Sequence, residues 1–384
     1  LPLGISFYTF QSISYVVDVY RGKHEPQKNF FKYALFVSFF PQLLQGPIGR
    51  YERLGEQLYE GHAYDLKNIQ FGLQRILWGM LKKMVLADRV NAAVTLIFNN
   101  YWNYGGWINV FGVILYSIQL YADFSGGIDI TIGIAQMFGI TMDENFRQPY
   151  FSRSIGEFWR RWHITLGTWM KDYIFYPFSL SRCMNKFGKW CKKTFGNNVG
   201  KLLPVSLANL LVFFIVGIWH GAAWKYIMYG MYNGVIIAAS GMLAPVYARI
   251  HESLHINPKS WWYQVFCIIR TFILVNIGFY FDMAPDLHAA NVMLLDTVTK
   301  AHLSQISMAT VKAVGLTAQD LIIVAAGCII IFVVSILKEK NIKIREAVAS
   351  RNIVLRWFIY IVFIMFILIY GSTSTTSDFI YANF

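Results

Sequence analysis

The sequence predicts an all-α fold, a polytopic transmembrane helical bundle, and three observations point there. Of its 384 residues, 56% are hydrophobic, 17% aromatic and only 14% charged, with a mean hydropathy of +0.42. An ordinary soluble domain carries about 25% charged residues, so too few remain to coat a water-facing surface, which excludes a cytosolic enzyme and a disordered chain. Several apolar stretches are long enough to cross about 30 Å of hydrocarbon as helix. Strand-type alternation is missing over any useful length, which disfavours a barrel. No linker rich in Pro, Ser or Gly divides the chain, so residues 1–384 read as a single integral membrane domain. Leu1 is preceded by no methionine, basic leader or cleavage site, so the chain reads as the interior of a longer protein whose upstream spans are missing.

The clearest spans are 205–219, 226–248, 263–281, 321–337 and 357–370. Softer candidates are 31–44, 69–86 and 107–121, the last continuing through a glycine break into 128–140. Loop charges orient them. Residues 182–201 hold Arg182, Lys186, Lys189, Lys192, Lys193 and Lys201 with no acid, and 338–356 hold Lys338, Lys340, Lys343, Arg345, Arg351 and Arg356 against Glu339 and Glu346. Both belong on the cytoplasmic side. Residues 282–320 carry Asp282, Asp286, Asp296 and Asp320 against Lys300 and Lys312, as an external loop would. Crossing once at each clear span reproduces this map and puts Trp219-His220-Gly221 towards the outer end of its span.

The 34 basic residues against 21 acidic ones give a net charge of +13. In a soluble protein that excess would suggest nucleic acid. Here it sits in short loops, so the partners it implies are anionic membrane lipids and no nucleic acid. Cys183, Cys191, Cys267 and Cys328 form no CxxC pair and no metal-like spacing with histidine, so neither a disulfide framework nor a metal site follows.

Residues 146–180 differ from the spans. They are aromatic yet crowded with Arg147, Arg153, Glu157, Arg160, Arg161, His163, Lys171 and Asp172. At helical spacing Glu157 and Arg161 form an i, i+4 pair while Phe158, Trp162, Thr165 and Trp169 trace the other side. Such a segment is an in-plane or re-entrant helix, either on anionic lipid or buried in protein.

Ionisable groups at membrane depth suggest function by default. His220 ends an apolar span, with Gly217 and Gly221 leaving room for a backbone or a substrate to approach. A buried neutral imidazole can accept a proton and serve as a general base, or can be a structural histidine satisfied by a carbonyl. Asp123 and Asp129 could form a cation site or proton relay. Alternatively they cap the helix that begins after Gly126-Gly127, or pair with an arginine such as Arg147. No P-loop, Rossmann glycine pattern, GxSxG elbow or HExxH motif is present.

Six motifs follow one another in order: Leu1-Pro-Leu-Gly-Ile-Ser-Phe-Tyr-Thr-Phe-Gln-Ser-Ile-Ser-Tyr15, Phe39-Phe-Pro-Gln-Leu-Leu-Gln-Gly-Pro-Ile48, Ala122-Asp-Phe-Ser-Gly126, Glu144-Asn-Phe146, Glu157-Phe-Trp-Arg-Arg-Trp-His163 and Trp219-His-Gly221. The set resembles the membrane-bound O-acyltransferase family, in the branch of the bacterial alginate O-acetyltransferases. The resemblance runs to the terminal Phe379-Ile-Tyr-Ala-Asn-Phe384. It implies two active-site histidines, His220 in the Trp-His-Gly motif as catalytic base and His163 orienting the donor or lining a central tunnel. The sequence departs from alginate-type members at Phe124-Ser-Gly-Gly-Ile-Asp129 and Tyr176-Pro-Phe-Ser-Leu-Ser181, which leaves the acceptor open.

What the resemblance implies is an O-acyltransferase in the bacterial plasma membrane, moving a small acyl group, foremost acetyl. The donor is a cytoplasmic thioester, acetyl-CoA or an acyl carrier protein, with no bound cofactor. The acceptor is a hydroxyl of an extracytoplasmic glycan or of a partner such as a secreted esterase-fold acyltransferase. Two alternatives are a D-alanyl transferase for teichoic acids fed by a carrier protein and, from another class, a transporter or channel with Asp123 and His220 in its path. A transporter of that kind often shows related halves, which this chain does not.

The charge map makes a direct prediction. In a cysteine-free version of the protein, Lys300→Cys is expected to react with an impermeant maleimide on intact cells and Trp190→Cys is not. The reverse pattern would overturn the orientation.

Overall fold

A computed structural model describes residues 4–43, 45–305, 307–371 and 379. Residues 1–3, Leu44 and 380–384, which belong to motifs quoted above, lie outside them. Among the described residues there is helix and no strand. Five helices are long and apolar enough to cross a membrane: Trp107–Met137, Val199–His220, Trp261–Met283, Ala318–Glu339 and Ile353–Tyr370. A sixth is reached if Trp224–Met242 and Ala244–Ser253, bent by 56°, are one broken span. Four of the five clearest expected spans lie within these five helices, and the fifth, 226–248, falls across the bent pair. Their outward side chains, such as Ile322, Val354 and Leu368, are well exposed and apolar, as a lipid-facing surface requires.

Three expectations need correction. The stretch 31–44 is not a span, because its helix Phe30–Val37 gives way to a 3-10 turn at Phe40–Gln42 around Pro41. Residues 69–86 fall in Leu66–Met80, which runs through a π-helical segment, Leu81–Ala87, into Asp88–Asn99. Trp107–Met137 is one unbroken helix through Gly126-Gly127. Those glycines do not interrupt it; they admit a neighbour.

The chain divides into two compact units, residues 1–145 with 296–384, and residues 146–295. In the first, Leu66–Met80 packs along Trp107–Met137 at two glycine crossings. A Cβ on Gly72 would stand 2.6 Å from the carbonyl oxygen of Gly133, and one on Gly79 would stand 2.5 Å from that of Gly126. Seven residues separate the glycines on each helix, so the contacts recur every two turns along one face.

Charge fills the interior beside these crossings. Lys82, only 2% exposed, donates to Asp129 at 2.5 Å and to Ser125 at 2.8 Å. Arg75 reaches Asp129 at 2.9 Å and grips Glu144 with two nitrogens, at 2.7 and 2.5 Å. Lys83 lies 2.7 Å from Asp123 and 2.9 Å from Asp88. The expected helix-capping role of the aspartates is therefore wrong, since both lie inside the 107–137 helix. Consecutive helical residues point about 100° apart, which sends Lys82 and Lys83 to different carboxylates.

The first unit also bears on the charge map. Gly106 and Trp107, at the start of the long helix, donate to Asp296 O at 2.9 Å and Gln305 Oε1 at 3.0 Å. At its other end Arg345 donates to Gln136 at 2.9 Å. A helix of 31 residues is about 46 Å long at about 1.5 Å per residue, so the segments expected outside and inside are held at opposite ends.

In the second unit the 146–180 region is a chain of short helices, Ile155–Arg161, Ile164–Met170 and Tyr176–Ser179, with a π-helical turn at Lys171–Phe175. The expected Glu157–Arg161 pair is present at 2.9 Å, and Phe158, Trp162, Thr165 and Trp169 are all buried. The helix is not continuous, because it breaks at Trp162-His163. The long helix Arg182–His220 changes direction at Gly196, whose φ of 78° favours glycine.

Removing one partner of a buried ion pair typically costs about 3–5 kcal/mol, because a charge is left stranded. Asp129→Asn is therefore expected to lower the thermal unfolding midpoint in detergent. Adding Lys82→Met to it should recover part of the loss. A single variant as stable as the parent would remove the network from the stability of the fold.

Candidate active site

His220 is placed by a helix hairpin. Val199–His220 ends on it, Gly221 turns the chain with φ 148°, and Trp224–Met242 returns alongside. The expected room at Gly217 and Gly221 is taken by protein. A Cβ on Gly217 would stand 2.6 Å from Tyr226 O, and one on Gly221 2.7 Å from the Tyr226 ring. Gly230 faces the backbone of Phe213 and Gly217. The two backbones are thus in contact one turn before the histidine. His220 is 5% exposed, its ring stacked on Tyr226 at 6.1 Å and edge-on to Tyr229 at 5.4 Å and Trp219 at 5.0 Å.

His163 arrives from the break in the 146–180 region. Ser154 caps the Ile155–Arg161 helix by accepting from Glu157 N at 3.1 Å. Glu157 in turn accepts from Arg153 N and from both the Arg153 and Arg161 side chains. Burial works against its charge, but those donors hold its carboxyl below the ordinary glutamate value. Trp159 Nε1 donates to Asn233 at 3.0 Å, fastening this helix to the hairpin that carries His220. His163 itself has φ 45° and ψ 54°, a left-handed conformation that costs a non-glycine residue about 1–3 kcal/mol. It is 2% exposed, and its ring meets Trp219 edge-on at 5.8 Å. The structure therefore brings His163 and His220 to the same tryptophan, as neither motif alone could reveal.

One functional candidate was missed. Asp282, at the end of the Trp261–Met283 helix, is buried with its Oδ1 3.7 Å from Nδ1 of His220. The sequence places it in an external acidic loop. It directly follows the apolar run Phe279-Tyr-Phe281, but Asp296 likewise follows Val292-Met-Leu-Leu295, so the sequence holds no signal that singles it out. Lys225 fixes the local backbone, donating to Asp282 O at 3.2 Å and Ala284 O at 2.7 Å. At 3.7 Å the contact is longer than a hydrogen bond, although such contacts commonly tighten when substrate binds. A carboxylate facing Nδ1 favours the proton there and leaves Nε2 its lone pair. Tyr226 and Tyr229 flank the ring, whereas Trp224 at the start of the returning helix is 73% exposed. Asp123 and Asp129 belong to the other unit and its ion pairs.

Fold and site together define a multi-pass helical membrane protein with a buried, imidazole-centred site. The chain belongs to the membrane-bound O-acyltransferase family, MBOAT, whose model matches residues 21–281 and so includes both histidines. It is 36% identical over 295 residues to the protein named "Probable alginate O-acetylase AlgI" of Pseudomonas syringae pv. tomato, covering 76% of this chain and 51% of that one. The peptidoglycan O-acetyltransferase of Helicobacter pylori is 32% identical over 344 residues, 79% of this chain and 59% of that protein. The teichoic acid D-alanyltransferase of Bacillus subtilis is 29% identical over 300 residues, 74% of this chain and 69% of that one. The chain spans about half the length of the Pseudomonas syringae relative.

Forcing a side chain into a closed contact usually costs about 1–3 kcal/mol. Gly217→Val should therefore pry the hairpin apart and lower the thermal midpoint, with Gly217→Ala intermediate. A valine variant of unchanged stability would show that the backbones are not in contact there.

Proposed function

We propose that the protein is an O-acyltransferase of the bacterial plasma membrane that transfers acetyl from a cytoplasmic thioester, acetyl-CoA or an acyl carrier protein, to a hydroxyl of an extracytoplasmic glycan or of a secreted partner protein. The observation that carries this reading is a buried histidine at a helix end, beside a carboxylate and sharing Trp219 with a second histidine. The names of its alginate and peptidoglycan relatives favour acetyl over D-alanyl, since the teichoic acid relative is less similar at 29% identity.

A thioester is already activated, so the protein has to align two substrates and move one proton. Nε2 of His220 takes the hydroxyl proton as the oxygen attacks the thioester carbon. A C–O bond forms, the C–S bond breaks, and the proton passes to the departing thiolate. The Asp282 carboxylate positions the ring and offsets the positive charge that His220 gains between the two transfers. His163, which meets the same Trp219 ring, orients the donor. General base assistance contributes about 10²–10⁴ in rate, with alignment in a site closed to water supplying much of the rest.

The test is turnover of radiolabelled acetyl-CoA by the purified full-length protein. His220→Ala should abolish it while leaving the thermal midpoint nearly unchanged, and His220→Gln should fail as well, because an amide cannot take the proton. His163→Asn, which tolerates the left-handed backbone at this position, should impair turnover in a folded protein. Asp282→Asn should lower kcat at least about tenfold with little change in KM, and Asp282→Glu should restore part of it. A His220→Gln protein that keeps most of its activity would sink the general-base role.

A further inference from the structure

One basic side chain beside the buried imidazole has no part in the transfer described above. Lys225 stands in the first turn of Trp224–Met242, next to Tyr226, whose ring stacks on His220. It is half-buried. Its ammonium donates to Asp282 O at 3.2 Å and Ala284 O at 2.7 Å, and it lies 4.5 Å from the centroid of the Tyr226 ring.

Those two carbonyls stand at the end of Trp261–Met283 and just beyond it. The last carbonyls of a helix find no partner within it. A cation there gains both the hydrogen bonds and the negative end of the helix dipole. Lys225 therefore caps this helix from a neighbouring one. Ala284 is buried, so water is a poor substitute for the ammonium at its carbonyl.

The clamp falls on the residue that faces His220. Asp282 places Oδ1 3.7 Å from Nδ1 of the ring, and its main chain is held by Lys225 and not only by its own helix. Tyr226 is confined too, between that ammonium and Gly221, where a Cβ would stand 2.7 Å from the ring. One side chain thus ties down the carboxylate residue at Nδ1 and the ring stacked on the imidazole. A lysine that only capped a helix would have no reason to bind at the single turn carrying Asp282 while holding the Tyr226 face.

We propose that Lys225 is a positioning residue of this site, which keeps the Asp282 carboxylate on Nδ1 of His220 and so leaves the Nε2 lone pair available. This rests on the general-base reading given above. A misplacement of about 1 Å, introduced away from the reacting atoms, can cost about a hundredfold in rate.

Lys225→Met removes the donors and keeps an apolar stem of similar length. In the purified full-length protein it should lower kcat for acetyl-CoA about tenfold to a hundredfold with KM little changed. Lys225→Arg keeps charge and donors and should recover part of the loss. In an Asp282→Asn background, Lys225→Met should cost less than about threefold more, because the group it positions is already gone. Losses that multiply in full would overturn the proposal. Nitrogen NMR on protein with isotope-labelled histidine reads the same device without turnover, the His220 signal being identified by its loss in His220→Gln. The proton should sit on Nδ1 in the parent and in Lys225→Arg, and be shared between both nitrogens in Lys225→Met. If Lys225→Met does not fold, Lys225→Gln, which keeps a donor for one carbonyl, takes its place in each measurement. A folded variant with unchanged kcat, or with the His220 proton left where it was, would overturn the proposal. The NMR change in a protein that turns over no acetyl-CoA would leave the positioning role standing and remove the proposed activity instead.

Discussion

Helix pairs in both units touch backbone to backbone at glycine, and the buried polar groups depend on that closeness. Lipid gives apolar helices no reason to leave it, so association has to come from tight packing and polar contacts. Where Gly72 meets Gly133, Gly79 meets Gly126, and Gly217 meets Gly230 and the Tyr226 backbone, no side chain intervenes. One turn from each contact stands a group that hydrocarbon would reject. Arg75 follows Gly72, Lys82 and Lys83 follow Gly79, Asp123 and Asp129 flank Gly126, and His220 follows Gly217. The glycines close the space around these groups, and the groups give each crossing a single productive register.

The two units solve the burial of polarity in different ways. The first matches charge with charge: Lys82 and Arg75 share Asp129, and Lys83 sits between Asp123 and Asp88. Such networks are costly to assemble and costlier to break, which suits a scaffold. The second buries an imidazole beside one carboxylate and among aromatic faces. The 3.7 Å contact of Asp282 with His220 is long enough to shorten when a charge develops on the ring. That suits a group whose protonation has to change during a reaction.

Much of the fold was legible in the sequence because apolar length and loop charge are one-dimensional quantities. The spans at 205–219, 263–281, 321–337 and 357–370 and the Glu157–Arg161 pair needed nothing more, whereas the bend inside 226–248 left no mark on its apolar length. The failures came where a residue's meaning lay in its neighbour. Gly126-Gly127 reads as a break until Gly79 is seen pressed against it. Asp123 and Asp129 share no face along their own helix, and their meaning lies in the two adjacent lysines that reach them from the neighbouring helix. Of the candidate site, His163 and His220 were legible as motif residues, but their common contact with Trp219 was not. Asp282 was hidden because an acid one residue past an apolar run looks the same whether it faces water or turns inward.

The left-handed backbone at His163 gives that position a second job. Its φ of 45° joins two short helices at an angle, so the residue is a hinge pin as well as an imidazole. Few side chains tolerate that conformation, and asparagine is among those that do. Alanine there removes the ring and also disturbs the joint, confounding chemistry with architecture. Asparagine keeps the joint and removes only the imidazole, which makes it the replacement whose effect can be read as chemistry alone. A valine or isoleucine would be rejected by the corner it must turn before any substrate arrived.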